Sequence, residues 1–231
     1  MKIKPILFST PMVRAILEGR KTQTRRTVVE RNSEKSTAQW KFLNFHDANP
    51  DRFPDGKNQY LKVSHQKKDT RHRVHSKIQV GDILWVRESF RKVHHYGIKY
   101  EFYQYKAGGT SAHCEIIDTD QILHDDKWKP SIHMPKEACR IFLEVTDVRA
   151  ERLQDISEED AISEGLSKVY NKTYGESMYP DYISDRMGWY LAKNSFETLW
   201  KSINGKKSWK QNPWVWVYEF KQVEKPKNFL K

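Results

Sequence analysis

The sequence predicts an α+β fold, a small mixed β-barrel with short flanking helices and two irregular insertions. Three observations point there. Strand-prone apolar runs recur along the chain, at 2–8, 83–88, 98–106, 140–149 and 212–220. Two or three short helical patterns separate them. Two long polar stretches, at about 30–77 and 167–192, interrupt the order. With 231 residues, 13% of them aromatic, the chain has the material for one sizeable core or two small ones. The expected organisation is a single domain over 1–231 with those two insertions and a loose tail at 221–231.

The elements follow in order. Lys2 to Phe8 reads as a short strand leading into a helix. Thr10 suits the cap, Pro11 the first helical position, and Met12, Val13, Ile16 and Leu17 form the apolar stripe. Gly19 suits the left-handed residue past the last turn. Residues 30–77 carry Asn49-Pro50, Pro54-Asp55-Gly56 and a basic stretch from Lys62 to Lys77, and read as a partly flexible excursion. Order resumes at Gly81-Asp82, a turn before the apolar strand Ile83-Leu84-Trp85-Val86. Residues 98–106 alternate aromatic and polar side chains, as a half-buried strand does. Arg140 to Arg149 forms another strand. Ser157 then caps a helix, with Asp160 three residues on, and Gly165 ends it, so that Glu164 lies in its last turn. Helical spacing returns at Asn194 to Trp200 and stops near Gly205, and Trp214 to Phe220 is strongly β-prone.

Charge narrows the partners. A formal net charge of +11 favours a polyanion, with nucleic acid the leading candidate, although charge runs are more often simply solvated. Cys114 and Cys139 form no C-x-x-C pair, which fits a reduced, cytoplasmic setting. No apolar run approaches the roughly 20 residues of a membrane span, so no membrane partner is expected. His94-His95 and the His72/His75 pair lack metal-ligand spacing and read as solvated. Neither a metal nor another cofactor is called for, and protein partners stay open.

The densest chemistry sits just past the first helix, in Gly19-Arg20-Lys21-Thr22-Gln23-Thr24-Arg25-Arg26. An amine, hydroxyls and guanidiniums crowd one bend, which suits either gripping a phosphate or holding a nucleophile beside a base. Four ordered segments carry a resemblance. They are Glu18 to Arg25, Gly81 to Glu88, Arg140 to Gly165, and Phe196 to Trp200 leading into Asn212 to Val217. On these the chain resembles the ASCH domain family, whose members share a PUA-like β-barrel, and especially the longer bacterial and phage members. The resemblance implies RNA binding, as is presumed for many members. It also implies a second possibility, since one compact branch hydrolyses N4-acetylcytidine with a lysine, a threonine three residues later and a glutamate near the end of the later helix. The matching positions are Lys21, Thr24 and Glu164. The chain departs from that branch in being about twice as long.

In such a set Thr24 is the nucleophile and Lys21 the base, made available by partial burial and by Arg20, Arg25 and Arg26. Glu164 serves the leaving amine, and Arg25 or a backbone N–H holds the oxyanion. The competing reading makes Lys21 a solvated lysine, Thr24 a turn hydroxyl and Glu164 an exposed helix residue. Arg20, Arg25, Arg26, Trp85, Arg87 and Glu88 are the candidate ligand contacts. Glu88 is assigned either a sugar hydroxyl or a pair with Arg25. Trp85, Trp214 and Trp216 are assigned base stacking or, more often for such residues, core. The function expected is therefore a protein that binds RNA or a nucleoside in a basic cleft and hydrolyses an N4-acylated cytosine nucleoside. The alternative is a non-catalytic RNA-binding module. All three catalytic positions are expected near the surface of a cleft.

Overall fold

The computed structural model describes residues 1–28, 40–46, 60–65, 71–95, 98–110, 122–123, 127–172, 175–184 and 188–230. Its strands are β1 (Ile3–Leu7), β2 (Gln23–Thr27), β3 (Trp40–His46), β4 (Tyr60–His65), β5 (Arg71–His75), β6 (Ile83–Arg87) and β7 (Phe90–His95). They continue with β8 (Ile98–Tyr105), β9 (Ile122–Leu123), β10 (Phe142–Arg152), β11 (Val169–Asn171), β12 (Glu176–Met178) and β13 (Trp214–Val223). The α-helices are α1 (Thr10–Leu17), α2 (Glu158–Ser163) and α3 (Ala192–Asn204). The fold is mixed α+β, mostly sheet with few helices. Among the described residues no sheet closes on itself as a barrel. No described helix is long and apolar enough to cross a membrane.

The chain divides into two compact units. The first comprises residues 1–19, 82–144 and 221–231, and the second residues 20–81 and 145–220. In the first unit β6 is central, with β1 parallel on one side and the start of β10 antiparallel on the other. Ile83, Leu84, Trp85 and Val86 are all buried, which is why this strand reads as a continuous apolar run and not an alternating one. β7 pairs with β8 and β9 beside it. Ser9, one residue before the cap expected from the sequence, stands at the N-cap position of α1 without a side-chain capping bond, and Gly19 adopts the expected left-handed φ of 72°.

The tail is not loose over its described residues, 221–230. β13 continues through Val223, and Phe229, 2% exposed, packs edge-on against Phe142 with ring centroids 4.8 Å apart. Trp85 packs edge-on against the same ring at 5.8 Å. A single aromatic in a polar, lysine-rich stretch gives little sequence signal, yet it completes the core of this unit. Phe229→Ala should cost about 3–5 kcal/mol, the usual range for an emptied aromatic core site. Urea denaturation checks this, and a loss under about 1 kcal/mol would mean that the tail packs without contributing.

In the second unit β10, β13 and β2 lie side by side in that order, leaving β2 at the edge. Val217 opposes Arg25 and Tyr218 opposes Thr24 in the antiparallel register. Leu153, Ile156, Ala161, Phe196, Trp200 and Val215 are part of the core beneath. Helix α2 begins as its sequence dictates, with the Ser157 side chain accepting from the Asp160 N–H at 3.1 Å. Two features differ from expectation. The stretch 30–77 is ordered where it is described, since β3, β4 and β5 form an antiparallel sheet of their own. The remaining parts of that insertion, at 29–39, 47–59 and 66–70, lie outside the described residues, as does Cys114. The stretch 167–192 likewise contains the short β11–β12 pair.

Candidate functional site

The site lies wholly in the second unit. The residues after Gly19 do not stay a bend: Gln23 to Thr27 run as a strand, so their side chains alternate between two faces. Gln23 and Arg25 share one face, Thr24 and Arg26 the other. Lys21 stands just before the strand and forms an isolated antiparallel bridge to Glu164, the C-cap of α2. The Thr22 N–H donates to the Ser163 carbonyl at 2.9 Å and seals the same junction.

Lys21 and Glu164 are thereby brought together. Lys21 Nζ donates to Glu164 Oε2 at 2.7 Å and to the Glu164 carbonyl at 2.8 Å. Both residues are buried, with Lys21 3% and Glu164 7% exposed. The solvated-lysine reading of Lys21 and the exposed-residue reading of Glu164 therefore fall. The expectation of near-surface positions falls as well. Burial holds the Lys21 ammonium below the usual lysine range. Glu164 opposes that shift by charge and hydrogen bond, and the Arg26 and Arg25 guanidiniums add to it.

Thr24 is also buried, on the face it shares with its cross-strand partner Tyr218. Among the described residues its hydroxyl makes no hydrogen bond to Lys21 or Glu164. The Tyr218 hydroxyl lies 2.9 Å from Ser76 Oγ, and burial pushes its pKa to about 12. Arg26 stands in the field of both Tyr218 and Glu164. Arg20 reaches the Gly165 carbonyl at the end of α2.

Arg25 corrects the sequence reading. Its side chain is fully buried, and three carboxylates take its guanidinium. Nη1 donates to Glu164 Oε1 at 3.2 Å, and Nη2 to Asp160 Oδ2 at 2.7 Å. Nε and Nη2 both donate to Glu151 Oε1, at 3.0 and 2.6 Å. With four of its five N–H donors committed and its side chain fully buried, this guanidinium is not open to a phosphate or an oxyanion. Glu164 is thus shared, with one oxygen on Lys21 and the other on Arg25.

Sequence reading missed the rest of this network. Arg149 donates to Asp160 Oδ1 at 3.0 Å and to Glu151 and Glu219. Gln23 Nε2 donates to Asp160 Oδ1 at 3.1 Å. The available signal was the alternation of Asp147, Arg149 and Glu151 along one strand, which puts them on a common face. In the sequence Asp160 stands out only as the residue three positions after the Ser157 cap. Burial alone would raise its pKa, but Arg25, Gln23 and Arg149 together hold it below the ordinary 3.8. A carboxyl depressed in the folded state contributes stability that is present above its unfolded pKa and is lost as pH falls through the folded one. Asp160→Asn should therefore flatten the acid side of the stability–pH curve below about pH 4. Thermal midpoints across that range check this, and an unchanged acid slope would remove Asp160 from the account.

Trp85, Arg87 and Glu88 belong to the first unit. Trp85 is 6% exposed and packed on Phe229, so its ring serves the core and not a base. Glu88 is 1% exposed and pairs with Arg140, at 2.8 Å from Nε and 3.0 Å from Nη2, and not with Arg25. Arg87 donates to the Ile132 carbonyl and lies over Trp85, with its guanidinium carbon 5.3 Å from the ring centre. In the second unit Trp216 is buried, and Trp214 carries Arg152 over its ring at 4.8 Å.

No protein family, curated protein or solved structure matches this chain.

Proposed function

We propose that this protein binds RNA or a modified nucleoside at the Lys21 site and hydrolyses an N4-acylated cytosine nucleoside there, as an ASCH-type, PUA-like protein of the cytoplasm. The observation that carries the reading is the buried Lys21 amine, 2.7 Å from the Glu164 carboxylate and held below the usual lysine pKa. A surface lysine stays protonated at neutral pH and cannot accept a proton, whereas a desolvated one can. The +11 charge supports a polyanionic substrate.

In this reading neutral Lys21 takes the Thr24 hydroxyl proton through one intervening water, since the two side chains make no direct hydrogen bond, as Thr24 Oγ bonds to the acyl carbon. When the carbon–nitrogen bond breaks, the proton held on Lys21 passes to the leaving cytosine amine, with Glu164 as relay. Water then attacks the Thr24 ester. Lys21 takes the water proton and returns it to Thr24 Oγ as the carboxylic acid departs. The oxyanion is left to a backbone N–H, because Arg25 is committed to carboxylates.

The test is a turnover assay with N4-acetylcytidine beside a panel of other modified nucleosides. Release of acetate and cytidine is expected. The rate should rise with pH through a value below 10.5, because the base must lose its proton and its pKa is lowered. Absence of turnover on every acylated nucleoside would overturn the hydrolase reading. The same charge then favours a non-catalytic RNA-binding module, recognised by single-stranded RNA binding that falls steeply with salt.

A further inference from the structure

We propose that Arg140, in the first unit, is the heart of a phosphate-binding site. The argument starts from how the guanidinium is held. Glu88, 1% exposed, takes its Nε and Nη2 edge in a two-point pair at 2.8 and 3.0 Å. The Tyr105 ring lies beneath it, with the guanidinium carbon 4.0 Å from the ring centre. That ring is itself fixed, since the Tyr105 hydroxyl donates to the Ala138 carbonyl at 2.7 Å. Fixed by a carboxylate at its edge and a ring at its face, the group has little rotamer freedom left to lose on binding.

The remaining nitrogen, Nη1, makes no hydrogen bond among the described residues. It faces Gly109. A Cβ built on Gly109 would come within 2.8 Å of it, so the glycine keeps a notch open over the guanidinium. The end of an arginine usually yields to such a contact, but this one is pinned at two points. Gly109 also has a φ of 81°, which favours glycine, so the turn and the notch are built together. The Arg140 side chain is 22% exposed against 1% for Glu88. The positive end of the pair therefore faces outward and the negative end inward.

A phosphate oxygen accepts from arginine N–H groups in a short, charge-assisted bond, and the planar fork suits it better than a lysine would. The ligand class is a phosphate group, either free or in a nucleic-acid backbone.

The full chain is titrated with inorganic phosphate and, separately, with a short oligouridylate, by calorimetry. Arg140→Lys keeps the charge but loses the fork. Gly109→Ala keeps Arg140 and fills the notch. Near-ultraviolet circular dichroism checks that each variant is folded. Phosphate binding by the parent, weakened at least tenfold in both variants, is the expected result. A parallel loss of oligouridylate binding identifies a backbone phosphate, and retained oligouridylate binding identifies free phosphate. No phosphate binding by the parent, or equal binding by folded Gly109→Ala, overturns the site. The readout needs no turnover, so it stands or falls apart from the hydrolase reading.

Discussion

Lys21→Arg is expected to abolish turnover of an N4-acylated cytosine nucleoside while the protein stays folded. The substitution keeps a positive charge beside Glu164, so the buried pair survives, but a guanidinium does not give up its proton in the accessible range. Arg is therefore a sharper test here than Ala, which would strip a partner from a 7%-exposed carboxylate and confuse lost chemistry with lost stability. Thr24→Ser should keep part of the activity because a hydroxyl remains, and Thr24→Val should keep none. Lys21, Thr24 and Glu164 should behave as a unit, so that a double change costs little more than either single one. Steady-state rates on folded variants give the answer. Full turnover by Lys21→Arg or by Thr24→Val would dispose of this mechanism even if the protein proved to be a hydrolase.

The largest effect on stability should come from Arg25→Ala. Removing the guanidinium leaves Glu164 with Lys21 alone, and takes from Asp160 and Glu151 the partner they share. Breaking a buried ion pair by deleting one member typically costs about 3–5 kcal/mol, because the orphaned charge stays buried. The cost should sit toward that range because the Arg25 side chain is fully buried and Glu164 nearly so. Asp160 and Glu151 are more exposed, and water recovers part of their loss. Arg25→Lys should be intermediate, since an ammonium cannot serve three carboxylates from one planar fork. Denaturant unfolding decides the matter, and a loss under 1 kcal/mol for the alanine variant would show that the network relaxes around the gap. The lysine variant separates structure from ligand contact. If Arg25 is only internal, any folded Arg25→Lys protein should show an RNA-binding salt slope close to that of the parent.

The local elements were legible because their signals are local. The Ser157 cap, the Gly19 and Gly165 stops, the apolar run at Ile83 to Val86 and the closing strand from Trp214 all follow from spacing and backbone preference. That Lys21 and Glu164 meet was expected through resemblance and not through spacing, since 143 positions separate them. What sequence alone missed is long-range or weakly patterned. The strand after Gly19 is rich in charge and hydroxyls, and nothing apolar marks it as β. Its pairing with β13 is what makes it a strand, and that pairing decides that Arg25 is buried while its neighbour Arg26 turns to the other face. Glu151, Asp160 and Arg149 gather around Arg25 from β10 and α2 for the same reason. Phe229 and the Glu88–Arg140 pair were likewise settled by tertiary contact. A charged side chain reads the same in sequence whether it meets water or a carboxylate, and only the fold supplies the partner. The sequence determined which charged and hydroxyl groups crowd the stretch after Gly19, and the tertiary structure decided which of them are buried and paired, because a buried polar group must find its partner within the fold.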